Sequence, residues 1–276
     1  MNAMELPFKP YQFPALIEPI ASDGPMDGQR VRLYYTTGWI EALTWAALST
    51  QGNSMISAGR VTVLELPTKP ARFLLMHCES DNKLASLDLL PSNLCPLPGV
   101  IAQVKSLVAG LACVSLRRMV INALLHPDAV MGYWLTPASL CDHHNFAGGL
   151  ALHSLEVATM VATSSLLSQD DRDLGTAMAI LHDYGKIWCY RDGKYTVDHR
   201  RGHDTVGLEK LTAHLDTLRR ENPEVGANMY ELLSGRCQRK GQRYPLAIGR
   251  VVHAFDQMSC EMTRHVEIQD FEDVPF

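Results

Sequence analysis

The hydrophobic pattern changes period near residue 99, and that change restricts the chain to two regions of different architecture. Between 28 and 80 the apolar residues come in short runs rich in β-branched and aromatic side chains: RVRLYY, WIEALTW, RVTVLEL and ARFLLMHC. Turn-forming stretches separate them, at Thr37-Gly38, Gln51 to Ser54, Gly59, and Pro67 to Pro70. Four strands at this spacing predict a small barrel or curled sheet. From 99 onward apolar residues recur at spacings of three and four, the signature of amphipathic helix. The helical stretches are VIAQVKSLVAGLACVSLRRMVINALL, ALHSLEVATMVATSSLL, LGTAMAILHDYG, GHDTVGLEKLTAHLDTLRR and RVVHAFDQMSCEMTRH. Asp170 to Asp173 are candidate caps for the third, and Gly185 is its expected stop. The reading is an α+β chain: an extended arm over 1–27, a small β domain over 28–80, a proline-bearing linker over 81–98 and an all-α domain over 99–276.

Composition narrows the functional classes. With 46% hydrophobic and 20% charged residues, the 276-residue chain can bury a substantial core. A net charge of −5 argues against a protein that coats nucleic acid generally, while leaving room for a local basic groove. No apolar run approaches the roughly 18 residues a bilayer core requires, so no membrane partner is expected. The start, MNAMELPFKPYQFP, lacks the basic-then-apolar layout of a secretory signal. The seven cysteines are odd in number, widely spaced and without a CxxC. Reduced thiols in the cytoplasm are expected, and metal chemistry falls to histidine and carboxylate.

Seven of the eleven histidines fall between 143 and 214. His153 sits among Leu150, Leu152 and Leu155. His182 and Asp183 end an apolar helix. Asp256 interrupts the apolar run RVVHAFDQM, where a carboxylate is costly to bury unless it is paired or binds a cation. Arg250 and Arg264 are the pairing alternatives. Adjacent helical residues point about 100° apart. His182 and Asp183 can therefore serve one centre only where the helix end comes close to it.

Four phrases carry a resemblance: PASLCDHHNFAGGLALHSLEVA (137–158), AILHDYGK (179–186), RRGHDTVG (200–207) and VVHAFDQMS (251–259). Together they resemble the HD-domain phosphohydrolase superfamily, over about residues 99–265. Two branches are similar: the YhaM-type exoribonucleases, which join an OB barrel to an HD domain and act 3′→5′, and the HD-like domain of TraI-type conjugative relaxases. The resemblance implies His153, His182, Asp183 and Asp256 as ligands of a divalent metal, whether Mn, Fe, Ni, Zn or Mg. It implies Asp183 as the residue that orients a metal-bound hydroxide, and Lys186 as a contact to substrate phosphate or a support for that aspartate. His203 takes the position that binuclear members give to a second metal. His143 and His144 are expected to line the pocket or back the ligands, and Gly148 and Gly149 to let backbone approach closely. Where binuclear members carry a second histidine, this chain has Gly235, which implies one tight metal. His199 and His214 are the candidates to complete a second site. Arg236, Arg239 and Lys240, in the same segment, form either a phosphate-binding edge or a solvated basic loop.

TGWIEALTW (37–45) followed by AGRVTVLEL (58–66) resembles an OB-fold phrase, with the first strand missing or supplied by the arm. Tyr34, Tyr35, Trp39 and Trp45 either stack on bases or fill the barrel. The expected function is a metal-dependent phosphodiesterase or nuclease on single-stranded nucleic acid. The alternatives are a phosphohydrolase on a nucleotide or other small phosphate, and a relaxase-like DNA-binding module with little hydrolytic activity.

Overall fold

The computed structural model describes residues 10–20, 28–46, 48, 56–69, 72–234 and 246–272, with the side chains of the last helix described as far as Met262. The chain is α+β and divides into two compact units.

The first unit, Met1–Leu94 with Leu125–Pro127, is a closed five-stranded barrel. Its strands are β1 (Tyr11–Ile20), β2 (Gln29–Tyr35), β3 (Gly38–Thr44), β4 (Ser57–Leu66) and β5 (Arg72–Ser80), in the order β1-β2-β3-β5-β4. Only β3 and β5 run parallel; β4 closes the ring on β1. This is an OB-like barrel. Alternation fills its interior: Ala15, Ile17, Val31, Leu33, Ala42, Val61, Val63 and Leu75 form one core. β1 comes from the stretch that sequence reads as an arm. Sequence leaves the first strand of the barrel either missing or supplied by this arm, and the structure has the second; Pro14 and Pro19 weaken the local signal, because proline removes a ladder donor. Ala15, Leu16 and Ile17 between them are nonetheless fully buried. The stretch read as a linker is also structured. Three 3-10 turns at Asn82–Leu84, Leu87–Leu89 and Ser92–Leu94 bury Leu87, Leu89, Leu90 and Leu94.

Among the described residues the second unit, Cys95–Leu124 with Asp128–Phe276, is helical apart from one small hairpin. The first helical stretch breaks at Leu111 into α1 (Val100–Gly110) and α2 (Val114–Leu124). α3 (Gly132–Leu135) precedes α4 (Gly149–Ala162), which packs against α5 (Gln169–Leu181). α5 is capped by Ser168, whose Oγ accepts from Asp171 N, and not by the aspartates that follow. It ends at Leu181, four residues before Gly185. After α6 (Lys186–Cys189), the hairpin β6 (Tyr190–Arg191) and β7 (Lys194–Tyr195) leads to a 3-10 turn at Val197–Arg201. Then come α7 (His203–Glu221), α8 (Pro223–Leu233), which the sequence reading did not single out, and α9 (Ala247–Glu272). α9 lies against both α4 and α5, and this packing assembles the site. No helix among the described residues is long and apolar enough to cross a membrane. The six described cysteines, Cys78, Cys95, Cys113, Cys141, Cys189 and Cys260, are all free thiols.

Candidate metal centre

Two close backbone approaches shape the site. α4 starts where Gly149 lies against the loop before it. A Cβ at 149 would overlap the His144 carbonyl oxygen, which accepts from Ala138 N at 3.1 Å. His144 itself has a positive φ of 49°, a conformation few non-glycine residues adopt. The second approach is at Gly185, where a Cβ would overlap the His203 carbonyl oxygen. Gly185 is therefore required by the passage of α7 across the turn that follows His182 and Asp183, and not as a left-handed helix stop; its φ is −66°.

α4 carries His153 inward, fully buried. His182 is the C-cap of α5 and Asp183 follows it, so both stand at the helix end. α9 brings Asp256. His153 Nε2 lies 3.6 Å from Asp183 Oδ2 and 3.1 Å from Asp256 Oδ1. His182 Nε2 lies 3.4 and 3.8 Å from the same two carboxylates. Lys186 Nζ is 2.5 Å from Asp183 Oδ2, and His203 Nε2 is 3.2 Å from Asp183 Oδ1. The potential donor atoms of His153, His182 and Asp183 lie within 4.8 Å of one another; so do those of His153, Asp256 and Cys260.

Hydrogen bonds fix which ring nitrogens carry protons. His182 Nδ1 lies 2.8 Å from the Ala179 carbonyl oxygen, which can only accept, so Nδ1 holds the proton. Ser259 Oγ donates to Glu156 Oε2 at 2.6 Å, and so accepts from His153 Nδ1 at 3.0 Å. A neutral His153 thus presents a bare Nε2 to two carboxylates, and His182 presents its own Nε2 to the same pair once a cation displaces the proton there. Both Nε2 atoms are buried and make no hydrogen bond. Lone pairs facing carboxylates repel, and a cation between them removes the conflict. The residues therefore fit a divalent metal, with two imidazoles and two carboxylates as its protein donors.

The protonation equilibria point the same way. Burial holds His153 below the ordinary imidazole value against the pull of Asp256 and Asp183. Burial also opposes charge on His182, but Asp183 and Asp256 outweigh it and push its pKa up to about 9. Burial would raise Asp183, yet Lys186 and His182 hold it well below the usual carboxylate range. Asp256 is lowered too, the histidines outweighing its burial. The two carboxylates are thus balanced by Lys186 and by a proton on His182, and a divalent ion would take the place of that proton.

The other predicted residues fall in three places. His143 and His144 flank His153, with ring centroids 5.3 and 5.5 Å away. His143 Nε2 lies 3.2 Å from Cys260 Sγ, and His144 Nε2 lies 3.3 Å from Glu156 Oε1. His199 stacks on Tyr195 and His214 is buried on α7; neither joins a metal-sized cluster among the described residues. Gly235, Arg236, Arg239 and Lys240 lie outside the described residues. Sequence reasoning missed Glu156, Ser259 and Cys260. The available signal was spacing: Glu156 lies three residues after His153 and Ser259 three after Asp256, each one helical turn on.

Residues 150–261 match the family model for the HD domain. The 3′-5′ exoribonuclease YhaM of Bacillus subtilis is 28% identical over 145 residues, 50% of this chain and 45% of the relative. The protein of the same name from Listeria welshimeri is 29% identical over 134 residues, 46% of this chain and 43% of the relative. The chain thus spans less than half the length of these curated relatives. No solved structure gave a significant match.

Proposed function

We propose that this HD domain hydrolyses phosphodiester bonds in single-stranded nucleic acid, with a divalent metal held by His153, His182, Asp183 and Asp256. The observation that carries the reading is the pair of Nε2 atoms, buried and without a hydrogen bond, that face the carboxylates of Asp183 and Asp256. A divalent ion bound there supplies Lewis-acid polarisation of a phosphoryl oxygen and a nucleophile near neutral pH.

The chain's own residues do the rest. Ser259 and Glu156 hold the His153 tautomer that leaves Nε2 free. Asp183 turns Oδ2 toward the histidine pair and Oδ1 toward His203, where it orients the attacking water. Lys186 is almost fully buried against Asp183, so its role is to support the aspartate. His203 is more open, and Asp183 raises its pKa against the effect of burial. Its charge is the one placed to meet a phosphate and to stabilise the transition state. The name of the relatives, 3′-5′ exoribonuclease, favours RNA cleaved from the 3′ end. The free thiols suit a cytoplasmic setting.

The test is elemental analysis of the purified chain, then reconstitution with Mn, Fe, Ni, Zn or Mg and incubation with end-labelled single-stranded RNA and DNA. Metal-dependent shortening of the oligonucleotide is expected. Absence of cleavage with every metal would overturn the proposal.

A further inference from the structure

Between Lys186 and His203 the chain makes an excursion whose two ends rest on one carboxylate. Lys186 holds Asp183 through Oδ2 and His203 through Oδ1. Whatever lies between is tethered at the rim of the His/Asp cluster. The excursion contains the β6–β7 hairpin and is well ordered by its own bonds. Asp192 and Gly193 adopt positive φ (51° and 70°), as a tight two-residue hairpin turn requires. Thr196 N donates to Cys189 O at 2.9 Å, and Thr196 Oγ1 donates to Trp188 O at 2.6 Å.

Tyr195 is the centre of an aromatic group on this hairpin. Its ring stacks on His199, with centroids 4.0 Å apart and planes at 26°. Tyr190 meets it at a steep angle, 5.6 Å away. Its hydroxyl lies 3.8 Å from Cys141 Sγ, on the loop that leads to His143. The hairpin is thus fixed to the site on a third side. Yet Tyr195 is 50% exposed and Val197 beside it 78%. The charge around it is cationic. Residues 190–201 hold Arg191, Lys194, Arg200 and Arg201 against Asp192 and Asp198, in a protein of net charge −5. Arg201 is paired with Asp198 and Glu209. Arg191, Lys194 and Arg200 are exposed and form no ion pair among the described residues.

We infer that Tyr195, backed by His199, is the platform on which a base of the single-stranded substrate stacks while a neighbouring phosphate lies at the metal centre, with Arg191, Lys194 and Arg200 facing the flanking phosphates. The inference rests on the hydrolytic reading above and adds to it a base-contacting subsite. Aromatic stacking tolerates any base, so the subsite sets distance along the strand and not sequence.

The test pairs Tyr195→Ala and Tyr195→Trp with a labelled ten-nucleotide oligoadenylate and ten variants of it, each abasic at one position. In the metal-loaded chain, Tyr195→Ala is expected to weaken oligonucleotide binding roughly five- to a hundredfold, the range typical of losing one stacked base. Metal content should stay unchanged, and Tyr195→Trp should restore binding. At one strand position, the loss from the missing base and the loss from the missing ring should not add. Additive losses at every position, or unchanged binding in Tyr195→Ala, overturn the subsite. Binding without cleavage, weakened by Tyr195→Ala in this position-specific way, would sustain the subsite and overturn the hydrolytic reading. Absence of both binding and cleavage in the unmodified chain would overturn both.

Discussion

Replacing Ser259 with Ala isolates the proton arrangement on which the metal centre depends. Ser259 and His153 are both fully buried, so water cannot replace the lost hydroxyl. The His153 Nδ1–H is then left without an acceptor, a cost of about 1–3 kcal/mol for a buried donor. The metal-free chain has an escape. The imidazole can move its proton to Nε2 and donate to Asp256 Oδ1, already 3.1 Å away. That charge-assisted bond offsets most of the penalty. The metal-loaded chain has no such escape, because Nε2 must stay bare to ligate. Stability should therefore fall little in the stripped protein and more in the loaded one. The difference should appear as a roughly 10- to 100-fold loss of metal affinity, the usual cost of losing a group that orients a ligand. Denaturant titrations of both forms, calorimetric metal titration, and nitrogen-15 spectra of the His153 ring would measure each part. Equal destabilisation of both forms, or unchanged metal affinity, would refute the tautomer argument.

Three further outcomes are expected. Asp183→Ala should abolish metal binding and hydrolysis, and should also cost about 3–5 kcal/mol by stranding the buried Lys186 ammonium; Asp183→Ala/Lys186→Met should recover much of that stability in denaturant melts, and a single variant as stable as the parent would contradict the pairing. In the metal-stripped chain His182 is raised from an unfolded value near 6.5 to about 9, so its stabilisation is complete below pH 6.5 and drains as pH rises toward 9, by on the order of 3 kcal/mol with His203 adding in the same direction; urea melts of the chelator-treated chain at pH 6.5 and 8.5 should differ accordingly, and a flat profile would count against it. The resemblance puts Gly235, which has no side chain to ligate, where binuclear members carry a second histidine, so calorimetry is expected to find one tight metal per chain, lost in His182→Ala, and two tight sites of similar affinity would overturn that count.

Much of the fold could be read from the change in hydrophobic period, because β-branched alternation and three-four spacing are local properties. What failed were places where tertiary context overrides local signal. Pro14 and Pro19 argue against a strand, which left the first strand of the barrel either missing or drawn from the arm, and barrel closure settles it by burying Ala15 and Ile17 between them. Gly185 resembles a helix stop, but its missing side chain serves the passage of His203. At the site, His153, His182, Asp183 and Asp256 were legible because glycines and neighbours mark their phrases. Glu156 and Ser259 were not. A serine and a glutamate one turn from a ligand are ordinary helix residues until α4 and α9 meet, and that contact joins positions 106 apart in sequence. Tyr195 was equally silent, since one tyrosine in a polar stretch carries no period.

That long separation would give a metal held as proposed a second role, as a clasp. His153, the His182-Asp183 pair and Asp256 stand on, or at the end of, three helices that the chain reaches far apart in time as it is synthesised. An ion holding them closes large loops in the way a disulfide would, and the chain entropy it removes grows with the logarithm of loop length. The ion would then govern how readily α9 peels away, while the barrel keeps its own core and contributes none of the four ligands. Chelation should expose the C-terminal helix to proteases first. Metal supply would thereby set the lifetime of the protein as well as its turnover.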